Sequence, residues 1–260
     1  MSVAARVVIL ILAVLANSAE VIAAAEISAE KQRQIDQLIE IHDLTTSVSI
    51  GNFYLKQEGL IAIRGLLTRL GNQDKLGPGW NSRDPQWQRA ESVLLKEVVD
   101  KVSQDFTSLD WLRPQWQELD SKEFSATELD ALLVHFRSDV GRKQAMIVDH
   151  TVSTHVMATL SFSGKLKDIP GIQEERNRMQ AIWNKEDDDM RFSIQDASNA
   201  DAQRFAYSAL GKKYFVTAIL KLTGIISRRL DDLAQALPKE VNARAEDIRP
   251  LLQEFKSAHR

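Results

Sequence analysis

The segment Phe124-Ser-Ala-Thr-Glu-Leu-Asp-Ala-Leu-Leu-Val-His-Phe-Arg-Ser-Asp-Val-Gly-Arg-Lys143 decides the fold class of this 260-residue chain. Four of its apolar residues follow Leu129 at offsets of three, four, seven and eleven positions, which places all five on one stripe of an α-helix. They are Leu129, Leu132, Leu133, Phe136 and Val140. Ser125 and Glu128 have the spacing of a capping box, and Phe124 stands where a hydrophobic staple residue belongs. The segment therefore predicts an amphipathic helix that begins just after Ser125.

Apolar spacing is helical in the other segments where it is clear, and no segment alternates with the period of two typical of a half-buried strand. Asp84 and Pro85 supply the N-cap and first-turn proline of one further helix, after a loop rich in glycine, proline and asparagine. Near the end of the chain, Pro238 is expected to stop a long helix because proline lacks the amide donor. We therefore expect an all-α, multi-helix bundle.

One internal repeat is visible in the sequence. Ser138-Asp-Val-Gly141-Arg142-Lys143 recurs 70 residues later as Ser208-Ala-Leu-Gly211-Lys212-Lys213. A glycine inside a helical pattern costs about 0.5–1 kcal/mol relative to alanine, so two at matched places indicate a local requirement, such as a kink or a close helix contact. The match leaves open whether the bundle consists of two pseudo-repeated halves, and whether the helix runs straight through Gly141 or bends there.

The N-terminus has the pattern of a secretory signal peptide. Arg6 precedes an apolar run from Val7 to Ala16, and small residues end the segment at Ala23-Ala24-Ala25. A membrane-spanning helix needs about 18 or more apolar residues, and the run from Val7 to Ala16 has only ten. We therefore expect cleavage after Ala25 rather than anchoring, with no transmembrane segment left. Residues 26–260 then form a single helical domain in the periplasm or outside the cell, with a possible subdivision near 161–170. Failure to cleave would instead leave a peripherally attached membrane protein.

Charge and cysteine content narrow the class of protein. The chain has 33 Lys and Arg against 36 Asp and Glu, and no basic patch typical of proteins that bind nucleic acid or anionic lipid. It has no cysteine, so an exported form would depend on its hydrophobic core without disulfides. No sequence feature predicts a cofactor.

The segment from Phe124 to Lys143 resembles the core motif of a bacterial secreted family known only as domain of unknown function 2059. That motif combines phenylalanine, a capping serine or threonine, Glu-Leu, spaced leucines, an aromatic pair and Ser-x-x-Gly followed by two basic residues. This chain departs from it at Arg137, where the family usually has an aromatic residue, and at Asp139, where it often has proline. The resemblance implies export and a helical fold, and it implies no activity.

The densest group of catalytic residue types is Asp149, His150 and Ser153, followed by His155. On a helix, Ser153 lies within reach of both His150 and Asp149, which suggests a hydrolase. A hydrolase also needs an oxyanion donor pair and a base held between nucleophile and acid, and the chain has no nucleophile-elbow motif. The alternative is that these hydroxyls bond backbone carbonyls one turn back while the histidines pack between helices. We favour this second interpretation.

No metal site is predicted from the spacing of the acidic residues and histidines. His150 and His155 are five positions apart, about 140° around a helix, whereas two ligands on one face need a spacing of three or four. The acidic run Glu186-Asp187-Asp188-Asp189 lacks the glycine and the spacing of a calcium-binding loop.

Four of the five tryptophans, at positions 80, 87, 111 and 116, lie within 37 residues. Core packing explains most of them, but Trp80 lies in the polar loop and is explained least well in this way. If Trp80 and Trp87 line a groove, they provide a site for a small apolar ligand or a partner segment. Arg142 and Lys143 similarly suggest a polar contact surface, although such pairs are more often simply solvated.

Together these features favour a non-enzymatic binding or interaction module of the bacterial cell envelope. Its expected partner is an envelope protein or a small apolar ligand, with Trp80, Trp87, Arg142 and Lys143 as candidate contacts. The alternative is a hydrolase that uses His150 and Ser153.

Overall fold

The computed structural model describes residues 29–160 and 200–259, together with Asn177, Gln180, Ala181 and Asn184. Every regular element within these residues is helical, and the helices pack into a bundle, which confirms the all-α prediction. The predicted signal peptide at 1–25, the possible boundary at 161–170 and the acidic run at 186–189 lie outside the described residues.

The helices follow one another with short connections. In chain order they are α1 (residues 29–39), α2 (Thr45–Gln73), α3 (Pro85–Leu94), α4 (Asp100–Thr107), α5 (Leu112–Glu123), α6 (Ala126–Phe136), α7 (Asp139–Thr159), α8 (Ala200–Tyr207), α9 (Ala209–Phe215), α10 (Leu222–Ala243) and α11 (Arg249–Ala258). Two π-helical segments join neighbouring helices, Leu95–Val99 between α3 and α4 and Val216–Lys221 between α9 and α10. A short 3₁₀ helix, Ala245–Ile248, precedes α11.

Helix α2 is the centre of the bundle. It has 29 residues and packs against α3, α4, α7 and α10. Its side chains Leu55, Ile63 and Leu67 are completely buried, and the same core continues through Val152 on α7 and Leu132 on α6. Burial on several sides of α2 explains why this helix has no strong polar face.

The N-terminus of α6 has the capping geometry that the sequence predicts. The Ser125 hydroxyl accepts a hydrogen bond from the Glu128 backbone N–H at 3.2 Å, and the Glu128 carboxylate accepts one from the Ser125 N–H at 2.8 Å. This reciprocal pair satisfies two backbone donors that the helix itself leaves without partners. At α3, Asp84 caps in the same way, and Pro85 occupies the first turn.

The chain bends sharply between α6 and α7. Ser138 caps α7 by accepting from the Gly141 N–H at 3.0 Å, while its own hydroxyl donates to the His135 carbonyl at 2.6 Å. A Cβ atom added at Gly141 would lie 2.0 Å from that carbonyl oxygen, so the bend requires glycine. The question left open by the sequence is thereby answered: the helix is interrupted at Arg137 and Ser138, and Gly141 permits the interruption.

The repeated motif builds the same corner a second time, between α8 and α9. Ser208 accepts from the Gly211 N–H at 2.9 Å and donates to the Phe205 carbonyl at 2.7 Å. A Cβ at Gly211 would again lie 2.0 Å from a carbonyl oxygen, that of Phe205. The two matched stretches of sequence therefore share one structural purpose, a serine-capped corner that only glycine can complete.

Pro238 does not end a helix. It lies inside α10, which continues to Ala243, so the expectation that proline stops this helix was wrong. Leu237 and Val241 are both completely buried, one on each side of it. The packing of these residues outweighs the cost of about 3 kcal/mol that an internal proline imposes.

Candidate functional site

A histidine from the α1–α2 connection lies at the centre of a buried polar cluster. His42 Nδ1 is 2.5 Å from a carboxylate oxygen of Asp149 on α7, and its Nε2 contacts the hydroxyl of Tyr214 on α9. The imidazole is 1% exposed. Because a carboxylate only accepts, Nδ1 carries a proton and donates it to Asp149, and Nε2 accepts from the Tyr214 hydroxyl when the ring is neutral.

Both oxygens of the Asp149 carboxylate are used in this cluster. The second one accepts from the backbone N–H of Asp43 at 2.9 Å. Burial, and then the charges of Asp149 and Asp120, raise the pKa of Tyr214 well above its ordinary value. The phenol therefore stays protonated and acts as a hydrogen-bond donor. The cluster fixes the α1–α2 connection to α7 and α9 with directional bonds.

A second carboxylate lies close to the same histidine. Asp120 on α5 is 2% exposed, and burial raises its pKa to about 7, opposed by the nearby His42 and by a hydrogen bond with the Trp116 side chain. Its Oδ2 atom has no hydrogen-bond partner within the described part of the chain. A buried carboxyl of this kind titrates near neutral pH. Folding is favoured while the group is protonated and disfavoured once it is ionised.

The candidate hydrolase residues lie close together without forming an open site. Ser153 is 1% exposed, its hydroxyl donates to the Asp149 backbone carbonyl at 3.0 Å, and it lies 2.9 Å from the Ser47 hydroxyl. Thr154 bonds the His150 carbonyl in the same one-turn pattern, at 2.9 Å. His150 is also buried. These contacts are the backbone bonding that the alternative interpretation predicts.

Sequence reasoning missed the pairing of Asp149 with His42 and of His42 with Tyr214. The partners are separated by 107 and 172 residues, so no local spacing reveals them. In the sequence, His42 continues the apolar helical spacing of Leu38 and Ile39, and in the structure it lies just beyond the end of α1. A histidine so placed must find a polar partner once buried, and this was the one available signal.

The structure places Trp80 in the core rather than in a groove. It is 6% exposed, its indole N–H donates to the Leu67 carbonyl at 2.9 Å, and its ring centroid lies 5.4 Å from Trp87 and 5.2 Å from Phe255. Trp87 is equally buried. The indole closes the end of the bundle where α11 packs, because the polar loop folds back over α2 and brings this side chain inside.

The basic pair at 142 and 143 lies at the first corner. Arg142 is exposed, donates to the Arg137 carbonyl at 2.7 Å and pairs with Asp139, so it completes the C-terminal end of α6. Lys143 is half-buried. In the second corner, Lys213 pairs with Glu128 at 2.8 Å and thus links α9 to the start of α6.

An open pocket of about 230 Å³ lies beside the polar cluster, where the α1–α2 and α4–α5 connections meet. Its apolar wall consists of Ile39, Leu44, Leu109 and Leu112. Its other lining residues are His42, Trp116, Ser108, Asp110 and Arg113. The rings of His42 and Trp116 are 5.3 Å apart and form the inner wall. The pocket thus combines apolar surface with a few polar groups, as small-molecule sites do.

A strained residue shapes the mouth of this pocket. Leu109 has a φ of 58°, a left-handed conformation that is unfavourable for a leucine. Its carbonyl accepts from the backbone N–H groups of Leu112 at 2.9 Å and Arg113 at 3.2 Å, and these bonds hold the turn. Strained backbone of this kind is found most often at binding and catalytic sites.

Comparison of the chain with protein-family models, curated proteins and solved structures found no match. Within residues 29–160 and 200–259, no helix is long and apolar enough to cross a membrane. Nor do three acidic or histidine side chains converge as a metal-ligand set in that part of the chain. The geometry of the pocket and of the cluster behind it is therefore the basis for a functional argument.

Proposed function

We propose that this chain is an exported, non-enzymatic binding module of the bacterial cell envelope that holds a small ligand in the pocket beside Trp116. The observation that supports this proposal is the open pocket of about 230 Å³ with a largely apolar wall. Pockets for drug-sized ligands measure about 300–1,000 Å³, so the expected ligand is smaller than these.

The inner wall of the pocket is rigid before any ligand arrives. His42 is fixed on one edge by Asp149 and on the other by Tyr214, so its ring does not need to be ordered on binding. Trp116 is 5% exposed and lies beside the buried Asp120, with which its side chain interacts. A preformed wall favours binding because it lowers the entropy that is lost when the ligand enters.

Binding agrees better with this geometry than hydrolysis does. A hydrolase needs its nucleophile beside the base and open to substrate, whereas the His42 imidazole faces the buried Tyr214 phenol. Ser153 does not line the pocket, and its hydroxyl is bonded to the backbone. Catalysis by His150 and Ser153 therefore lacks support from their surroundings.

The envelope location in this proposal rests on the sequence. Residues 1–25 have the signal-peptide pattern, and the motif from Phe124 to Lys143 resembles a secreted family, domain of unknown function 2059. N-terminal sequencing of the protein recovered from the periplasm tests this part. A mature chain that begins at Glu26 is expected, and a full-length chain in the membrane fraction would argue for peripheral attachment instead.

Native mass spectrometry of protein purified from its own envelope fraction tests the binding proposal. We expect a co-purifying mass, and we expect its loss in Ser108→Trp, which places a large side chain at the mouth of the pocket. Ser257→Trp on α11 is the matched control, because Ser257 is also exposed and does not line the pocket. An unliganded chain, with no partner crosslinked to it in intact cells, would refute the proposal. A ligand retained by Ser108→Trp would place the site elsewhere.

A further inference from the structure

The charged groups around the pocket are mostly acidic. Among its lining residues Arg113 is the one permanent cation, and its guanidinium is 3.1 Å from Asp36 and 4.0 Å from Glu40. Gln117 also donates to Asp36, at 2.6 Å. Arg113 is therefore already paired, and its positive charge is offset before a ligand approaches.

Asp110, by contrast, has an unused carboxylate. It lines the pocket, is exposed, and forms no side-chain hydrogen bond or ion pair within the described part of the structure. Its position is nevertheless defined, because it follows the strained Leu109 and its backbone N–H donates to the Ser108 hydroxyl at 3.3 Å. The mouth of the pocket thus presents a negative charge at a defined backbone position, without a side-chain partner among the described residues.

The inner wall is also suited to a positive charge. Trp116 is the type of aromatic residue that attracts cations most strongly. Behind it lies the carboxyl group of Asp120, which interacts with the Trp116 side chain and carries negative charge whenever it is ionised. The acidic groups in front of and behind this wall therefore add to the attraction, whereas an anionic ligand would be repelled by the same groups.

We propose that this pocket takes a small organic cation with an apolar body, an alkylammonium group carried on a short chain. This inference rests on the proposed binding function. The apolar wall formed by Ile39, Leu44 and Leu112 covers the alkyl groups, while the Asp110 carboxylate balances the charge and the Trp116 ring attracts it. A strongly hydrated metal ion does not suit such a wall, because it requires several oxygen ligands.

Three probes of nearly the same shape and different charge test the proposal. They are choline, its neutral isostere in which carbon replaces the nitrogen, and the tert-butylacetate anion. Isothermal titration near neutral pH is expected to show choline binding about tenfold more tightly than the neutral alcohol, and the anion binding most weakly. The preference for choline is expected to shrink as salt is added, because the mouth of the pocket is exposed to solvent.

A pair of variants locates the charge preference. Asp110→Asn is expected to weaken choline binding about threefold to tenfold and to leave binding of the neutral alcohol unchanged. Asp105→Asn removes the same charge from an exposed position on α4 that does not line the pocket, and it is expected to change neither. Unchanged helical circular dichroism in both variants shows that the fold is intact.

The outcomes separate this inference from the proposed function. Equal binding of choline and the alcohol, or tighter binding of the anion, would overturn the cation preference while leaving a functioning pocket. Binding of none of the three probes, together with a co-purified ligand that Ser108→Trp abolishes, would overturn only the choice of ligand. If none of the three probes binds and no co-purified ligand depends on Ser108, the pocket is not a binding site.

Discussion

His135 and Phe205 stack face to face, with ring centroids 3.6 Å apart and planes inclined by 10°. Each of these residues stands three positions before the capping serine of its own corner, so the stacked pair joins equivalent positions just ahead of the repeated motif. Gln144 strengthens the contact: it bonds His135 at 2.6 Å, and its amide N–H donates to the Ala202 carbonyl at 3.0 Å. Since the amide nitrogen is engaged by Ala202, the amide oxygen accepts, and His135 Nε2 carries the proton.

This stacking makes the two corners energetically dependent on each other. In a double-mutant cycle of His135→Ala and Phe205→Ala, we expect a coupling energy of about 0.5–1.5 kcal/mol, the range found for paired aromatic rings. Urea unfolding of the wild type, both single variants and the double variant measures it. Additive effects of the two substitutions on the free energy of unfolding would mean that the stacked rings contribute no coupling between the corners.

The corners themselves should depend strictly on glycine. Gly141→Ala forces a Cβ atom against the His135 carbonyl, so we expect a loss of about 2–4 kcal/mol in the free energy of unfolding. Gly65→Ala on α2 is the matched control, because a Cβ there meets nothing within 4 Å. That variant is expected to gain about 0.5–1 kcal/mol. Thermal unfolding compares them, and equal stabilities would contradict the steric argument.

The hydroxyl of Tyr214 is expected to stabilise the inner wall of the pocket. Tyr214→Phe leaves Nε2 of the buried His42 without its donor, at an expected cost of about 1–3 kcal/mol. Tyr207→Phe removes the same atom from a side chain that is 75% exposed, so its effect should stay within about 0.5 kcal/mol. Chemical unfolding of both variants gives the comparison. A Tyr214→Phe protein as stable as Tyr207→Phe would show that the bond to His42 contributes little.

Asp120 should make stability depend on pH in a defined direction. Its pKa of about 7 in the folded chain exceeds the ordinary value of 3.8, so the folded state holds this proton more tightly than the unfolded state does. The resulting stability is complete below about pH 4 and is lost as the pH rises through about 7, in total about 4 kcal/mol. Asp120→Asn should remove this slope.

Unfolding free energies measured from acidic to mildly alkaline pH reveal the slope, and the comparison with wild type cancels the contributions of other groups. Asp105→Asn, at an exposed acid on α4, should keep the wild-type slope. If Asp120→Asn and wild type run parallel across this range, the buried carboxyl does not titrate as its surroundings imply.

Local signals in the sequence predicted much of the fold. The capping box of Ser125 and Glu128, the Asp84 cap and the helical stripe of α6 are all present, because they depend on residues within one or two turns. Pro238 was misjudged for the opposite reason, since burial of its neighbours is a tertiary effect that overrides local propensity.

The candidate site was predicted only in part. Asp149 belongs to the polar cluster, but its main partner is His42 rather than the neighbouring residues on its own helix. Trp116 lines the pocket, whereas Trp80, which the sequence favoured, is a core residue. In both cases the deciding contacts join segments that are far apart in the chain, and spacing within a helix carries no information about them.

The wide separation of His42 and Tyr214 in the chain also has a consequence for how the pocket is completed during folding. In a chain that folds progressively from its N-terminus, residues 39–116 are available well before Tyr214. These residues include every side chain that lines the pocket. Until α9 docks, Nε2 of His42 lacks its hydrogen-bond donor Tyr214, and this side of the imidazole is uncovered. The wall that His42 forms is therefore complete only once α9 has docked, so the pocket depends on a part of the chain that lines none of it.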